Sequence, residues 1–117
     1  MSGPPAPPAV ASAAATQARR ARAQVKRDMA FSGESLRRVI ALCLEPEGAN
    51  LRRMPVVELL AAMPGVGPRR ADEMAERAGI APGRRLGGLG HLQVETLTRI
   101  IDERAARRRS TREAVQP

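Results

Sequence analysis

Residues 59–90 run LLAAMPGVGPRRADEMAERAGIAPGRRLGGLG: an apolar run, a glycine turn, a periodic segment and two more glycine turns. Val56, Leu59, Leu60 and Met63 recur at helical spacing and predict a short helix, with Pro55 suited to its first turn. Pro64-Gly65-Val66-Gly67-Pro68 breaks that helix at once. A second helix is predicted from Arg69 to Ala78, its inward stripe made of Ala71, Met74, Ala75 and Ala78. Small residues on that stripe permit close helix packing. Gly79 stands where a glycine just past the last turn closes a helix, with Ile80 as the accompanying apolar contact. Ala81-Pro82-Gly83 and Gly87-Gly88-Leu89-Gly90 are turns, with Arg84, Arg85 and Leu86 between them. A last helix is predicted from about His91, with Leu92, Val94, Leu97, Ile100 and Ile101 inward.

Upstream, Leu36, Val39, Ile40 and Cys43 repeat at i, i+3, i+4 and i+7, with Ser32 as N-cap and Pro46 and Gly48 ending the pattern. Cys43 falls on that stripe and reads as a core thiol; Phe31 reads as a core plug at the helix entrance. The segment 46–53, PEGANLRR, reads as a linker carrying Arg52 and Arg53. Residues 13–30 read as a helix with a weak stripe of Ala14, Ala18, Ala21 and Val25. Arg19, Arg22 and Lys26 share one of its faces, with Arg20 and Arg27 beside them. The expected organisation is a disordered Pro/Ala-rich arm at 1–12, a basic helix at 13–30, a helical core at 31–103 and a disordered basic tail at 104–117. The fold class is all-α.

Composition agrees with a small helical domain. The 117 residues are 43% hydrophobic but only 1% aromatic, so the core must be built from Leu, Val, Ile, Met and Ala. One cysteine excludes an internal disulfide, and one histidine excludes a multi-histidine metal site. No run approaches the roughly 18 apolar residues that a membrane span needs. The chain reads as soluble and cytoplasmic, with no cofactor. Charge is more informative. The net charge is +8; residues 1–30 carry five basic groups against one acid, and 99–117 carry six against three. A nearly neutral middle flanked by two cationic arms suits a domain that holds a polyanion.

The stretch Leu60-x-x-Met63-Pro64-Gly65-Val66-Gly67-x-x-x-Ala71 resembles a helix–hairpin–helix. Its glycines permit positive φ and close backbone approach, so N–H groups turn outward at a helix start and seat a phosphate without sequence preference. Arg69 and Arg70 stand immediately behind, while Pro68 removes one donor. The paired turns between Gly79 and Gly90 resemble a helix–two-turns–helix, with Arg84 and Arg85 on the connection. With FSGESLRRVI at 31–40, these motifs are similar in order and spacing to the actinobacterial integration host factor family over residues 19–101.

That resemblance implies a monomeric, nucleoid-associated, architectural binder of double-stranded DNA, acting on backbone phosphates and the minor groove. Phage integrase and chromosomal nucleoprotein complexes are the implied wider setting. It implies contacts from Arg19, Arg20, Arg22 and Lys26 on the first helix; Arg52 and Arg53, the basic pair of the linker, are further DNA-binding candidates by their charge. Gly65, Val66, Gly67, Arg69 and Arg70 serve at the hairpin, and Arg84, Arg85 and Gly88 at the loop. The sequence departs from the family at Pro68 and Gly87, where a basic residue is usual, and at His91, where a polar cap is usual.

Two other readings stay open, a structured-RNA or ribosome-associated binder and a protein-interaction module. Few aromatics argue against single-stranded targets, where base stacking contributes most. Enzymatic activity is not expected: the lone lysine, Lys26, is a poor candidate for a lyase nucleophile, and no nucleotide-binding motif appears.

Overall fold

The computed structural model describes residues 8–29 and 32–115, with side chains described over 13–29 and 32–111. Six helices form among the described residues: α1 Pro8–Asp28, α2 Gly33–Cys43, α3 Ala49–Arg52, α4 Val56–Ala61, α5 Gly67–Arg77 and α6 His91–Val115. Short 3₁₀ turns stand at Pro46–Gly48 and Leu86–Gly88, and there is no strand among the described residues. The apolar stripes meet in one core. Leu36, Val39 and Cys43 of α2 join Val56, Leu59 and Leu60 of α4, Ala71, Met74 and Ala75 of α5, and Leu97, Ile100 and Ile101 of α6. α4 packs on α5 across the glycine turn, α2 packs on α6, and α1 leans on α3.

The end of α5 is closed as the sequence implies. Gly79 takes φ +71, its N–H donates to the Glu76 carbonyl, and the Ile80 N–H donates to that of Ala75. That is the double closure of a Schellman turn. α6 opens at Gly90, whose N–H is held by the Gln93 side chain at 2.9 Å. Gln93 also donates to the Gly79 carbonyl at 2.9 Å, so one side chain ties the end of α5 to the start of α6.

Several expectations need correction. α1 begins at Pro8, not at 13; a proline in the first turn costs no hydrogen bond, and the alanines that follow are strong helix formers. Its inward face runs through Ala18, Arg22, Val25 and Met29, while Ala14 and Ala21 are exposed. Met29, fully buried, rotates the face away from the expected stripe. The expected linker 46–53 is folded as a 3₁₀ turn and α3, because Leu51 is buried there. α5 starts two residues before Arg69, at Gly67. Pro55 precedes α4 as its N-cap rather than sitting in its first turn.

Leu92 is 73% exposed. It lies five residues from Leu97, well round the helix from the stripe that Leu97 and Ile101 define. Ser32 does occupy the N-cap of α2, but its hydroxyl makes no capping bond. The Gly33 N–H donates instead to Asp102 Oδ1 of α6 at 2.8 Å. Finally, α6 continues through the expected tail to Val115. Phe31, residues 1–7 and residues 116–117 lie outside the described residues.

Candidate nucleic-acid interface

The loop between α5 and α6 is held by backbone pairing that local sequence patterns do not reveal. The Val56 N–H donates to the Arg84 carbonyl at 3.0 Å, and the Leu86 N–H to the Met54 carbonyl at 2.9 Å. Pro55 and Arg85 form an isolated antiparallel bridge. Met54 and Leu86 are buried on its inner side, so the alternation of side chains places Arg53 and Arg85 on the outer one. Arg84 lies over Gly88, its Nη1 donating to the Gly88 carbonyl at 3.2 Å. A Cβ on Gly88 would stand 3.1 Å from Arg84 Cδ, which leaves the arginine little room above a larger residue. Arg53, Arg84 and Arg85 are all exposed, clustered in the chain around this backbone pairing.

Arg52, adjacent in sequence, has a different position. Its guanidinium donates to the carbonyls of Cys43 and Glu45, closing the end of α2. Its stem supports the backbone at Gly87, where a Cβ would stand 2.9 Å from Arg52 Cβ. That close approach explains how glycine suits position 87 here. Cys43 below it is buried, and burial pushes its thiol pKa up while the Arg52 charge pulls the other way.

At the hairpin, Gly65 and Gly67 take φ +76 and +66, a left-handed backbone that favours glycine. Val66 between them is buried and pins the turn to the core. Gly67 and Arg69 lie in the first turn of α5, where N–H groups have no carbonyl a turn earlier, and Arg70 follows directly. Arg69 reaches forward along α5 to Glu73 at 3.8 Å, and Arg70 Nη1 donates to the Gly65 carbonyl at 3.3 Å. Arg104 and Arg108 of α6 both donate to the Pro64 carbonyl, the former at 2.6 Å. These two, with Arg107, were not among the candidate residues. Their signal was present: 97, 101, 104 and 108 continue one helical stripe past its last apolar member.

On α1 the candidates divide. Arg19 and Arg20 are exposed, and Arg19 donates to Thr16 Oγ1 at 3.3 Å. Lys26 Nζ pairs with Glu58 Oε1 of α4 at 3.0 Å, fastening α1 to the core. Arg22 is half-buried, and its Nε has no hydrogen-bond partner among the described residues.

The helix pair and its two intervening turns define a helix–two-turns–helix domain, and the S13-like H2TH domain family matches residues 29–100. The integration host factor of Streptomyces coelicolor is 42% identical over 102 residues, covering 85% of this chain and 94% of that protein. Those of Mycolicibacterium smegmatis and Mycobacterium tuberculosis are 39% and 41% identical, covering 76% and 71% of this chain. They are covered over 83% and 77% of their own lengths. A solved structure of sIHF bound to an 8-bp palindromic DNA matches with 42% identity and a TM-score of 0.64. That match covers 74% of this chain and 96% of sIHF. The chain belongs to the integration host factor family.

Proposed function

We propose that the chain is an architectural protein of the nucleoid that binds duplex DNA through backbone phosphates with little sequence preference. The observation that carries this reading is the match to sIHF bound to DNA, over nearly all of that chain. The cationic geometry supports it. Arg53, Arg84 and Arg85 present guanidinium groups on a frame of backbone pairing, which holds them in place before any ligand arrives. The Gly65–Gly67 turn and the first turn of α5 offer N–H groups beside Arg69 and Arg70. Arg84 and Arg85, projecting from a loop, are suited to a narrow minor groove, whose negative potential attracts arginine.

Not every candidate serves equally in this proposal. Arg19 and Arg20 add charge along α1, whereas Lys26 and Arg52 are engaged within the fold. Arg22 is half-buried on the inward face of α1, and Gly88 contributes by letting Arg84 lie across it. No catalytic step is assigned to any of these groups. No helix is long and apolar enough to cross a membrane among the described residues.

A structured-RNA target is the second reading, favoured by the S13-like character of the matched domain. A gel shift with duplex DNA, duplex RNA and single strands of matched length tests the proposal. Duplex DNA should be retained at the lowest protein concentration. Preferential retention of duplex RNA would favour the second reading, and no retention of any nucleic acid would refute both.

A further inference from the structure

The far end of α6 lies beyond the family match, which ends at residue 100, yet it is tied to the hairpin rather than free. Arg104 and Arg108 converge on the single carbonyl of Pro64, and Arg70 donates to the adjacent carbonyl of Gly65. Gly65 leaves space for this: a Cβ there would stand 3.0 Å from Arg104 Nη2. A guanidinium has five N–H donors, so these hydrogen bonds use a small part of what the three arginines offer. Arg107 adds a fourth charge on the same end of α6 and makes no hydrogen bond within the described residues. Among those residues no carboxylate pairs with Arg70, Arg104, Arg107 or Arg108; the ion pairs formed lie elsewhere. Desolvation and the charges of Arg108, Arg70 and Arg107 together push the Arg104 pKa down.

One arginine would suffice to hold the turn. Several like charges gathered without a counter-charge call for an external anion with several acceptor oxygens. A phosphate group fits, since its oxygens accept from forked guanidinium donors. We infer that Arg104, Arg107 and Arg108 form a further phosphodiester seat beside Arg70 of the hairpin, built by the C-terminal extension of α6. Arg104 stands thirteen positions beyond His91, so the seat lies about 20 Å along α6 from the start of that helix. This inference rests on the duplex-binding reading and extends the surface it uses.

The test is the slope of log affinity against log salt for a duplex of about 20 bp, between about 50 and 200 mM salt. Arg107→Gln with Arg108→Gln is the informative variant, because Arg104 still donates to Pro64 and keeps the hairpin tied. Its slope should be shallower by about 1.8, at about 0.9 for each phosphate no longer neutralised. Arg107→Gln alone, which breaks no hydrogen bond of the fold, should show about half of that change and melt like the parent chain. Arg37→Gln with Arg38→Gln removes the same charge from the exposed face of α2 and should leave the slope unchanged.

A parent-like slope in both the Arg107/Arg108 variant and Arg107→Gln would overturn the inference. So would an equal change in the Arg37/Arg38 control, which would mean that only net charge matters. Should the double variant unfold, Arg107→Gln alone decides. If the parent chain shows no salt-dependent binding, the proposed function itself fails. That result is distinct from a parent that binds while the cluster contributes nothing.

Discussion

Replacing Arg52 with alanine removes two hydrogen bonds from a guanidinium to the carbonyls of Cys43 and Glu45. The Cβ and carbonyl of residue 52 that approach Gly87 remain in alanine, so only the contact of the Cγ beyond them is lost. Hydrogen bonds from charged donors contribute roughly 1.5–3 kcal/mol where water is excluded. Arg52 is only partly buried, so a total loss of about 1–2 kcal/mol is expected. For a domain of this size each kcal/mol moves the melting temperature by about 4–8 °C, so Arg52→Ala should melt about 5–15 °C lower.

Arg53→Ala is the matched control one residue away. Arg53 is exposed on the outer side of the Pro55–Arg85 bridge and makes no hydrogen bond within the fold among the described residues. Its removal should cost less than about 0.5 kcal/mol. It should also make the salt slope of duplex binding shallower by about 0.9. Helical circular dichroism during a thermal melt and a salt-dependent titration, run on both variants, give the two readouts. A parent-like melt for Arg52→Ala, or an equal drop in melting temperature for Arg53→Ala, would refute this division between the two arginines.

Asp102→Ala removes the acceptor that caps the Gly33 N–H, and should cost about 1 kcal/mol in urea unfolding. A parent-like midpoint would show that another group caps α2. Gly67→Ala adds a Cβ that meets nothing within 4 Å, so its cost should be the left-handed backbone alone, about 1–2 kcal/mol. A larger loss in the same assay would mean that the hairpin is packed more tightly than this. Lys26→Ala breaks a half-exposed ion pair with Glu58 and should cost less than about 1 kcal/mol. Its salt slope should match the parent's; a shallower one would place Lys26 against DNA rather than against α4.

Helices α2, α4 and α5 were legible because their apolar residues recur at 3.6-residue spacing and glycine or proline marks their ends. Gly79 and Ile80 predicted a closure that the structure builds with two hydrogen bonds. What escaped the local pattern was decided by contacts distant in sequence. Arg52 and Arg53 are indistinguishable as a dipeptide. Only the meeting of residues 54–56 with 84–86 turns one inward and the other out. Asp102, sixty-nine residues from Gly33, took the capping role that Ser32 was suited to. The far end of α6 looked unpatterned because arginine, not an apolar residue, carries its inward stripe. Long polar side chains can continue a packing face, and a hydrophobic period does not record them.

The central claim is that this chain holds duplex DNA by its backbone phosphates, and the salt dependence of the parent chain's affinity tests it most directly. On the proposed reading Arg53, Arg69, Arg70, Arg84 and Arg85, all exposed, would make roughly five phosphate contacts, for which the slope of log affinity against log salt should be about −4 to −5. Engagement of the α6 cluster should steepen it towards about −7. Duplexes of unrelated sequence should give slopes and affinities close to one another. A slope shallower than about −2, or binding confined to one sequence and insensitive to salt, would contradict the account.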